Sequence, residues 1–289
     1  MKRAPFLLAV IVLVALVESG LGLFQAESVV PASDWDAAAA RVRASLQPSD
    51  LIVFAPAWAD PTGRLHLGDV MPVEMVARSD DDAYARIWEL SIRGGRSEDT
   101  LGMTPASVEQ LGGVTLRRFD RPATKVLRDL SADFPQARVT ARRVGEGADE
   151  HPCAGTGRER LCGSTTVGPR VMEVDYRPRR GVLAPVIPGQ IVSVAYDDVE
   201  GGGVLVGYAG LHDYYARKSA SGVVSFRVRV DSTKTILIPL RNEDGWKRFE
   251  LALDPGKHLV VFEVSSEAPA WRLPGFHAEV RAPERRGAP

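Results

Sequence analysis

The sequence contains two cysteines, Cys153 and Cys162, in the stretch HPCAGTGRERLC, and their spacing limits the chemistry they can do. The spacing does not fit a redox C-x-x-C motif, and one neighbouring histidine, His151, leaves too few ligands for a structural zinc site. The pattern therefore predicts a disulfide, which forms where the chain meets oxidising conditions. The alternative, two unpaired thiols, requires a cytoplasmic location.

A second group of residues has the types that bind sugars. The stretch GLHDYYARK places aromatic and hydrogen-bonding side chains between two predicted strands, and saccharide sites combine aromatic faces for stacking with a few polar groups. The candidate ligand-binding residues are His212, Asp213, Tyr214, Tyr215, Trp246 and Trp271. The alternative is structural: the tyrosines would pack across one end of a domain, and Trp246 would lie in its core.

Two polar features nearby have less specific chemistry. The basic cluster RPRRG, residues 177–181, could contact anionic lipid or glycan, although an isolated cluster of this kind is usually a solvated face. His277 stands between Phe276 and Ala278 in a predicted strand, so we expect its side chain to point outward as an ordinary surface residue.

An alternative site follows the apolar run LIVFA, residues 51–55. If this run is a strand of a parallel sheet, ligands are expected at its carboxyl end, where the sequence supplies Trp58, Asp60, His66 and Asp69. These residues fit a hydrolytic or sugar-nucleotide site. No dinucleotide, P-loop, serine-hydrolase or zinc-protease motif accompanies them, so the alternative is a surface loop. No catalytic residue, metal site or cofactor is predicted.

The elements that position these residues differ between the two halves. Residues 33–46 have apolar side chains on one helical face, and apolar residues within 126–134 predict another short amphipathic helix. Strands are predicted at 51–55, 85–92, 113–119 and 137–144. Alternation of helices and strands predicts a three-layer α/β domain over residues 33–144.

The second half changes to a period of two. In VVSFRVRV, residues 223–230, valines and Phe226 alternate with polar residues, as in a strand with one buried face. Other strands are predicted from residues 191, 203, 234, 246, 257 and 276, with turn residues between them. Together they predict an antiparallel, jelly-roll-like β-sandwich over residues 168–282. Residues 145–167 are then a Gly-rich linker that carries the disulfide, and residues 283–289 a disordered tail.

The amino terminus predicts the location of the chain. Lys2 and Arg3 precede an apolar run within residues 1–25, which is long enough as a helix to span about 30 Å of hydrocarbon. We interpret this segment as an uncleaved membrane anchor, because small residues in an A-x-A-like cleavage pattern are missing. A cleaved signal peptide, and hence a secreted protein, is the alternative. Either way, the rest of the chain is expected in the periplasm or outside the cell.

Both halves resemble known families. The order of the capped helix, QPSDLIVFAPAW, LGD, YARIWELS and GVTLRRF resembles the exported soluble tail of bacterial membrane glycosyltransferases of the protein-mannosyltransferase type. The resemblance implies a detached soluble portion without transferase chemistry, because that family's catalytic acidic residues lie in membrane-embedded loops. The run GWKRFELALDPGKHLVVFEVS resembles a hairpin of galactose-binding-like β-sandwich modules.

The amino-acid composition of the chain disfavours some classes of function. With 45% hydrophobic residues, 25% charged residues and a net charge of −1, the chain fits folded domains and lacks the basic field of a nucleic-acid-binding protein. We expect a membrane-tethered, non-catalytic binding or accessory protein of the cell envelope. Its predicted partners are the lipid bilayer and a glycan or an envelope protein. An enzyme acting on envelope glycans, a glycosyltransferase-associated component and a structural scaffold are the alternatives.

Overall fold

The computed structural model divides the chain into two compact units, residues 1–71 with 86–120, and residues 72–85 with 121–289. The structure describes residues 12–20, 29–73, 75, 84–122, 124–145, 149–212, 222–266 and 272–283. Residues 12–20 are helical and exposed, whereas the rest of the predicted anchor lies outside the described residues. Within the described ranges, we find no helix with the length and apolar character needed to cross a bilayer. Membrane anchorage stays a prediction.

The first unit is a four-stranded sheet with two helices. Its elements are α1 (Ala32–Arg43), β1 (Asp50–Ala55), α2 (Asp60–Leu67), β2 (Arg86–Ile92), β3 (Ser107–Leu111) and β4 (Val114–Asp120). The strand order is β1-β2-β4-β3, with β1 and β2 parallel and the other pairs antiparallel. The predicted first helix and the strands near residues 51, 86 and 114 are confirmed.

The arrangement in layers differs from the prediction. Helix α1 contacts β3 and β4, α2 contacts β1, and the two helices contact each other. They therefore cover the same face of the sheet, and the described elements form two layers. A three-layer α/β arrangement is not confirmed. The buried face of α1 consists of Trp35, Ala38, Ala39 and Val42, in agreement with the apolar face predicted for residues 33–46.

The second unit consists of two antiparallel sheets packed as a β-sandwich. One sheet has the order β15-β12-β17-β10-β9-β8, with β5 also paired to β17, and the other has the order β14-β13-β16-β11-β6-β7. The strands are β5 (Val126–Asp129), β6 (Arg138–Arg143), β7 (Glu150–Pro152), β8 (Arg160–Cys162), β9 (Thr165–Val174), β10 (Arg177–Leu183), β11 (Gln190–Glu200), β12 (Val204–Leu211), β13 (Val224–Val230), β14 (Lys234–Leu240), β15 (Lys247–Ala252), β16 (Lys257–Ser265) and β17 (Pro274–Arg281).

The sandwich core lies between the inner faces of the two sheets. Phe262 of one sheet stacks on Phe276 of the other with ring centroids 4.2 Å apart, and Phe226 lies within 6.1 Å of both rings. All three rings are fully buried. Each aromatic side chain contributes strongly to such a core because it buries a large apolar surface.

The helix predicted within residues 126–134 is wrong. Residues 126–129 form strand β5, paired with β17, and a turn of 3-10 helix follows at Phe134–Gln136. Leu130 and Phe134 are both fully buried in the sandwich core. Their spacing of four therefore arises from a turn that directs both side chains into the same core, and not from a helix.

The β-sandwich also begins before residue 168, which was the predicted start of this domain. Strand β6 pairs with β11, with Val139 opposite Val194, and both side chains belong to the sandwich core. The segment predicted as a linker provides edge strands of both sheets: β7 pairs with β6, and β8 pairs with β9. Apart from residue 283, the predicted tail lies outside the described residues.

The predicted disulfide between Cys153 and Cys162 is present. Cys153 directly follows β7 of one sheet, and Cys162 ends β8 of the other, so the covalent bond joins the two sheets at one edge of the sandwich. Cys162 is buried in the core.

Removing this bond should lower stability. For the double variant Cys153→Ala and Cys162→Ala, we expect the free energy of unfolding to fall by about 2.7 kcal/mol, because the unfolded chain gains loop entropy. Urea denaturation without reductant measures this change, with reduced wild-type protein as the comparison. Equal midpoints for the variant and the oxidised wild-type protein would contradict the expectation.

A histidine near the β13–β14 turn should make stability depend on pH. His258 Nδ1 lies 2.8 Å from Asp231 Oδ2, and His258 Nε2 lies 2.8 Å from the Asp254 carbonyl oxygen. Only the imidazolium form can donate both hydrogen bonds. The hydrogen bond to Asp231, followed by that to the Asp254 carbonyl, raises the pKa of His258. A raised folded-state pKa stabilises the fold below the unfolded-state value of about 6.5, and this contribution is lost as the pH rises through the folded-state value.

We therefore expect His258→Gln to destabilise the protein more at about pH 5.5 than at about pH 9. Glutamine has no charge to lose, so its own contribution stays constant over this range. Thermal unfolding of both proteins at the two pH values measures the difference. A cost that does not change with pH would contradict the role of the imidazolium.

Candidate ligand-binding cavity

Strand β17 presents different side chains to the two faces of its sheet. Phe276, Ala278 and Val280 point into the sandwich core, so the period of two directs His277 and Glu279 to the outer face. On that face, Tyr208 of β12 stands opposite His277, and Asp129 of β5 stands opposite Glu279. The inward apolar residues thus fix where these polar side chains gather.

A cavity of about 650 Å³ lies on this outer face. Its volume is within the usual range of small-molecule sites. Five arginines, two carboxylates, one histidine and one tyrosine supply its charged and aromatic lining. The lining residues are Tyr84, Asp129, Ser131, Ala132, Arg158, Pro169, Arg170, Val171, Arg179, Arg180, Gly181, His277, Glu279 and Arg281. All of them belong to the second unit.

A chain of polar contacts fixes the cavity floor. Arg179 Nη1 lies 3.5 Å from His277 Nδ1, and His277 Nε2 lies 3.4 Å from Glu279 Oε1. Arg281 donates from Nε to Glu279 Oε2 at 3.0 Å. Asp129 Oδ1 accepts the backbone N–H groups of Ser131 and Ala132. Both carboxylates are thereby oriented.

Glu279 is held in its ionised form. Burial is the largest influence and opposes ionisation, but the hydrogen bond and charge of His277, together with the charge and hydrogen bond of Arg281, outweigh it and lower the pKa of Glu279. Arg281 is itself only 3% exposed, so each charge depends on the other for compensation. Glu279 is therefore a fixed acceptor at neutral pH.

Trp246, one of the predicted ligand-binding residues, lies close to this cavity. The Arg179 guanidinium stands 3.7 Å from the Tyr208 ring centroid and 5.6 Å from that of Trp246. Trp246 Nε1 donates to the Arg177 carbonyl at 2.8 Å. The two aromatic rings therefore restrict Arg179 by cation–π contact, and Trp246 supports the cavity wall through this arginine.

The other predicted ligand residues are in a different place or lie outside the described ranges. Asp213, Tyr214, Tyr215 and Trp271 lie outside the residues that the structure describes. His212 follows β12, and its backbone N–H donates to the Leu273 carbonyl at 2.9 Å. Its role as a ligand residue stays a prediction.

In the alternative site, the predicted residues pair with different partners. Trp58 is 60% exposed and lies under the Arg93 guanidinium, and Asp60 pairs with Arg64 at 2.6 Å. The four predicted residues therefore do not converge on one point, although His66 and Asp69 share a hydrogen-bond partner.

That partner is Arg43, which brings His66 and Asp69 together. Arg43 Nη2 donates to the His66 carbonyl and, at 2.6 Å, to Asp69 Oδ1. The hydrogen bond from Arg43 lowers the pKa of Asp69. The His66 ring stacks on Trp35, and its Nδ1 lies 2.7 Å from Asp36. These contacts hold α2 against α1, and a ligand site here stays a prediction.

Sequence reasoning missed the polar floor of the cavity. His277, Glu279 and Arg281 occur at intervals of two in a predicted strand, which is the signal that they share one face. Their partners Asp129 and Arg179 are distant in sequence, and the pairing of β5 and β10 with β17 brings them in. Reading residues 126–134 as helical concealed the place of Asp129 in the sheet.

The same face contains a cluster with metal-ligand residue types. One potential ligand atom from each of Asp129, His277 and Glu279 lies within 4.8 Å of the others. Arg281 already binds Glu279, and five arginines line the cavity against two carboxylates. This excess of fixed positive charge disfavours a cation and favours a ligand with negative charge.

No protein-family model matches the chain, and no curated protein matches it. Solved structures similar to it include the module TmCBM61 in complex with β-1,4-galactotriose, with 13% identity, a TM-score of 0.27, and coverage of 36% of this chain and 71% of that one. Another is the CBM51 module of GH95 from Clostridium perfringens in complex with methyl-galactose, with 11% identity, a TM-score of 0.28, and coverage of 62% and 94%.

A third similar structure is the tandem CBM51 pair of a family 98 glycoside hydrolase from Streptococcus pneumoniae, with 12% identity, a TM-score of 0.34, and coverage of 60% of this chain and 57% of that one. These neighbours are carbohydrate-binding modules. At such TM-scores the similarities carry no argument about this chain. None of them supports the predicted resemblance of the first half to a mannosyltransferase tail.

The pairing of Glu279 with Arg281 should be important for stability. We expect Glu279→Gln to lower the free energy of unfolding by about 3 kcal/mol at neutral pH, because it leaves a buried guanidinium without its counter-charge. The ionised Glu279 carboxylate stabilises the fold because its folded-state pKa is lowered. This stabilisation is present above the unfolded-state pKa of about 4.3 and is lost as the pH falls through the folded-state pKa.

Urea denaturation at neutral and acid pH measures both effects. The matched control is Glu159→Gln, which removes a half-exposed partner of Arg170 and should cost less than about 1 kcal/mol. Equal costs for the two variants would show that the Glu279 pair contributes no more than a surface pair.

Proposed function

We propose that this chain is an extracytoplasmic, non-catalytic binding protein of the cell envelope, and that the cavity on its β-sandwich takes a saccharide bearing a negatively charged group. The observation that carries this proposal is a cavity of about 650 Å³ lined by five arginines and two carboxylates. The proposal includes attachment to the lipid bilayer by the predicted amino-terminal anchor.

The fixed polar groups suit a saccharide. Asp129 and Glu279 are held by neighbouring donors, and Arg179 is held by two aromatic rings. Oriented carboxylates accept hydrogen bonds from sugar hydroxyls, and a planar guanidinium donates in a fixed fork to a carboxylate or to oxygens of neighbouring hydroxyls. Because these groups are ordered in advance, binding requires less loss of side-chain entropy. The exposed Arg158 and Arg180 supply additional positive charge at the rim.

A glycan-active enzyme is the second candidate, because potential ligand atoms of Asp129 and Glu279 lie within 4.8 Å of each other. Paired carboxylates at about 5 Å occur in retaining glycosidases. One of the pair must then act as a general acid, which requires a raised pKa. The pKa of Glu279 is lowered instead, and Arg281 already occupies its second oxygen. Glu279 therefore does not fit the role of the general acid.

The disulfide supports an exported location. Disulfides persist in oxidising compartments such as the periplasm and the cell exterior, and this one joins the sheet that carries the cavity to the other sheet of the sandwich. It agrees with the expected export of everything after the amino-terminal segment.

The full-length protein should bind acidic saccharides on an array of bacterial envelope glycans, with neutral counterparts of the same glycans bound more weakly. Asp129→Asn and Arg180→Ala should each reduce the affinity for the best array ligand about tenfold by calorimetry, which corresponds to about 1.4 kcal/mol. The matched control is Arg143→Ala, an exposed arginine on β6 of the other sheet, which should change nothing.

Two results would overturn this proposal. One is the absence of binding to every array glycan, and the other is equal loss of affinity in the Arg143→Ala control. Release of reducing ends from the bound glycan, abolished in Asp129→Asn, would replace binding by the enzymatic alternative.

A further inference from the structure

A second, smaller cavity of about 280 Å³ lies at one end of the β-sandwich. It is located where β14 ends and where β13 and β17 begin. The cavity is lined by Gly222, Val223, Arg241, Asn242, Glu243 and Arg272. None of these residues lines the larger cavity.

Arg272 is the buried charge of this second cavity. The residue is only 2% exposed. Its Nη1 donates to Asn242 Oδ1, whereas its Nη2 is buried and has no hydrogen-bond partner in the described part of the chain. A guanidinium stays protonated in proteins, so the side chain places a positive charge and unsatisfied donors at a buried position.

The described neighbours do not neutralise this charge through direct contact. Burial lowers the pKa of Arg272, and the charge of Glu243 only partly opposes this effect. Glu243 is exposed, and Asn242 is neutral. Asp244 nearby is committed to the Lys247 ammonium at 2.8 Å and to the Arg241 backbone N–H. A buried charge without a paired counter-charge is costly.

We propose that Arg272 and Asn242 form the floor of an oxyanion-binding site that takes a phosphate or carboxylate group. The Nη2 donors of Arg272 bind the oxyanion, Asn242 fixes the guanidinium plane through Nη1, and Arg241 contributes positive charge at the cavity edge. A cavity of about 280 Å³ admits one anionic group with a few attached atoms, near the lower limit for ligand sites. This site is separate from the larger cavity and does not depend on the function proposed there.

Inorganic phosphate and D-glucuronate are the probes that distinguish the sources of the oxyanion. Each is titrated into the full-length protein by calorimetry at constant ionic strength, with chloride as the replaced anion. We expect saturable binding of at least one probe that persists in Arg180→Ala, and an accompanying rise in the unfolding temperature, because a ligand that binds only the folded state stabilises it. In Arg180→Ala, tighter phosphate binding indicates a phosphorylated ligand at Arg272, and tighter glucuronate binding indicates a uronic acid there.

The decisive variant is Asn242→Asp. It keeps the size of the side chain but gives Arg272 a carboxylate of its own, so it should fold normally and weaken binding of the probe at least tenfold. Arg272→Lys should also weaken binding about tenfold, because an ammonium lacks the planar fork. Arg180→Ala in the larger cavity is the matched control and should leave phosphate binding unchanged.

Three outcomes overturn the inference. The first is that neither probe binds above the chloride control. The second is that Asn242→Asp binds the probe as tightly as the wild-type protein. The third is that Arg180→Ala abolishes binding while Arg272→Lys does not, which would place the anion in the larger cavity. If the protein binds no array glycan but still binds phosphate, the function proposed for the larger cavity fails and the inference about Arg272 is retained.

Discussion

The contact of Phe262 with Phe276 across the sandwich is the interaction on which most of this structure depends. These rings belong to opposite sheets and stack at 4.2 Å, so they fix which face of β16 and of β17 is internal. Because side chains alternate along a strand, fixing Phe276 inward sets the direction of its neighbours. A shift of one residue would bury His277 and Glu279 and expose three core residues.

This constraint explains why the cavity and its polar lining lie on this face of the sheet. Outward residues of β17 meet outward residues of β5, β10 and β12, and the face collects more positive than negative charge. Arg179 is buried between its aromatic neighbours, and Arg281 is buried against Glu279. Buried guanidinium groups need partners, and here the partners are arranged in a fixed network that leaves a cavity above it.

Arg272 differs from Arg281 in the charge of its hydrogen-bond partner. Arg281 has a carboxylate at 3.0 Å, whereas the hydrogen-bond partner of Arg272 in the described residues is a neutral amide. The two sites therefore use the same side chain in different ways. In the larger cavity the protein supplies its own anion and adds positive charge at the rim, whereas at the end of the sandwich the counter-charge is left for a ligand.

The sequence by itself determined the local features. Alternating residues and turn signals identified β11 to β17. The apolar face identified α1, and the cysteine spacing with the amino-terminal segment predicted the disulfide. Each of these depends on residues that are close together in the chain. The outward direction of His277 was also predictable, although its importance was not.

Only the tertiary structure decided where distant residues meet. Leu130 and Phe134 have a helical spacing, but the sandwich core takes both side chains from a strand end and a turn, and burial outweighs a weak local preference. The same strand, β5, brings Asp129 beside Glu279, about 150 residues further along the chain, because backbone hydrogen bonds between strands do not depend on sequence. Cross-strand pairing of this kind leaves no local signal, which is why the floor of the cavity could be seen only in the folded chain.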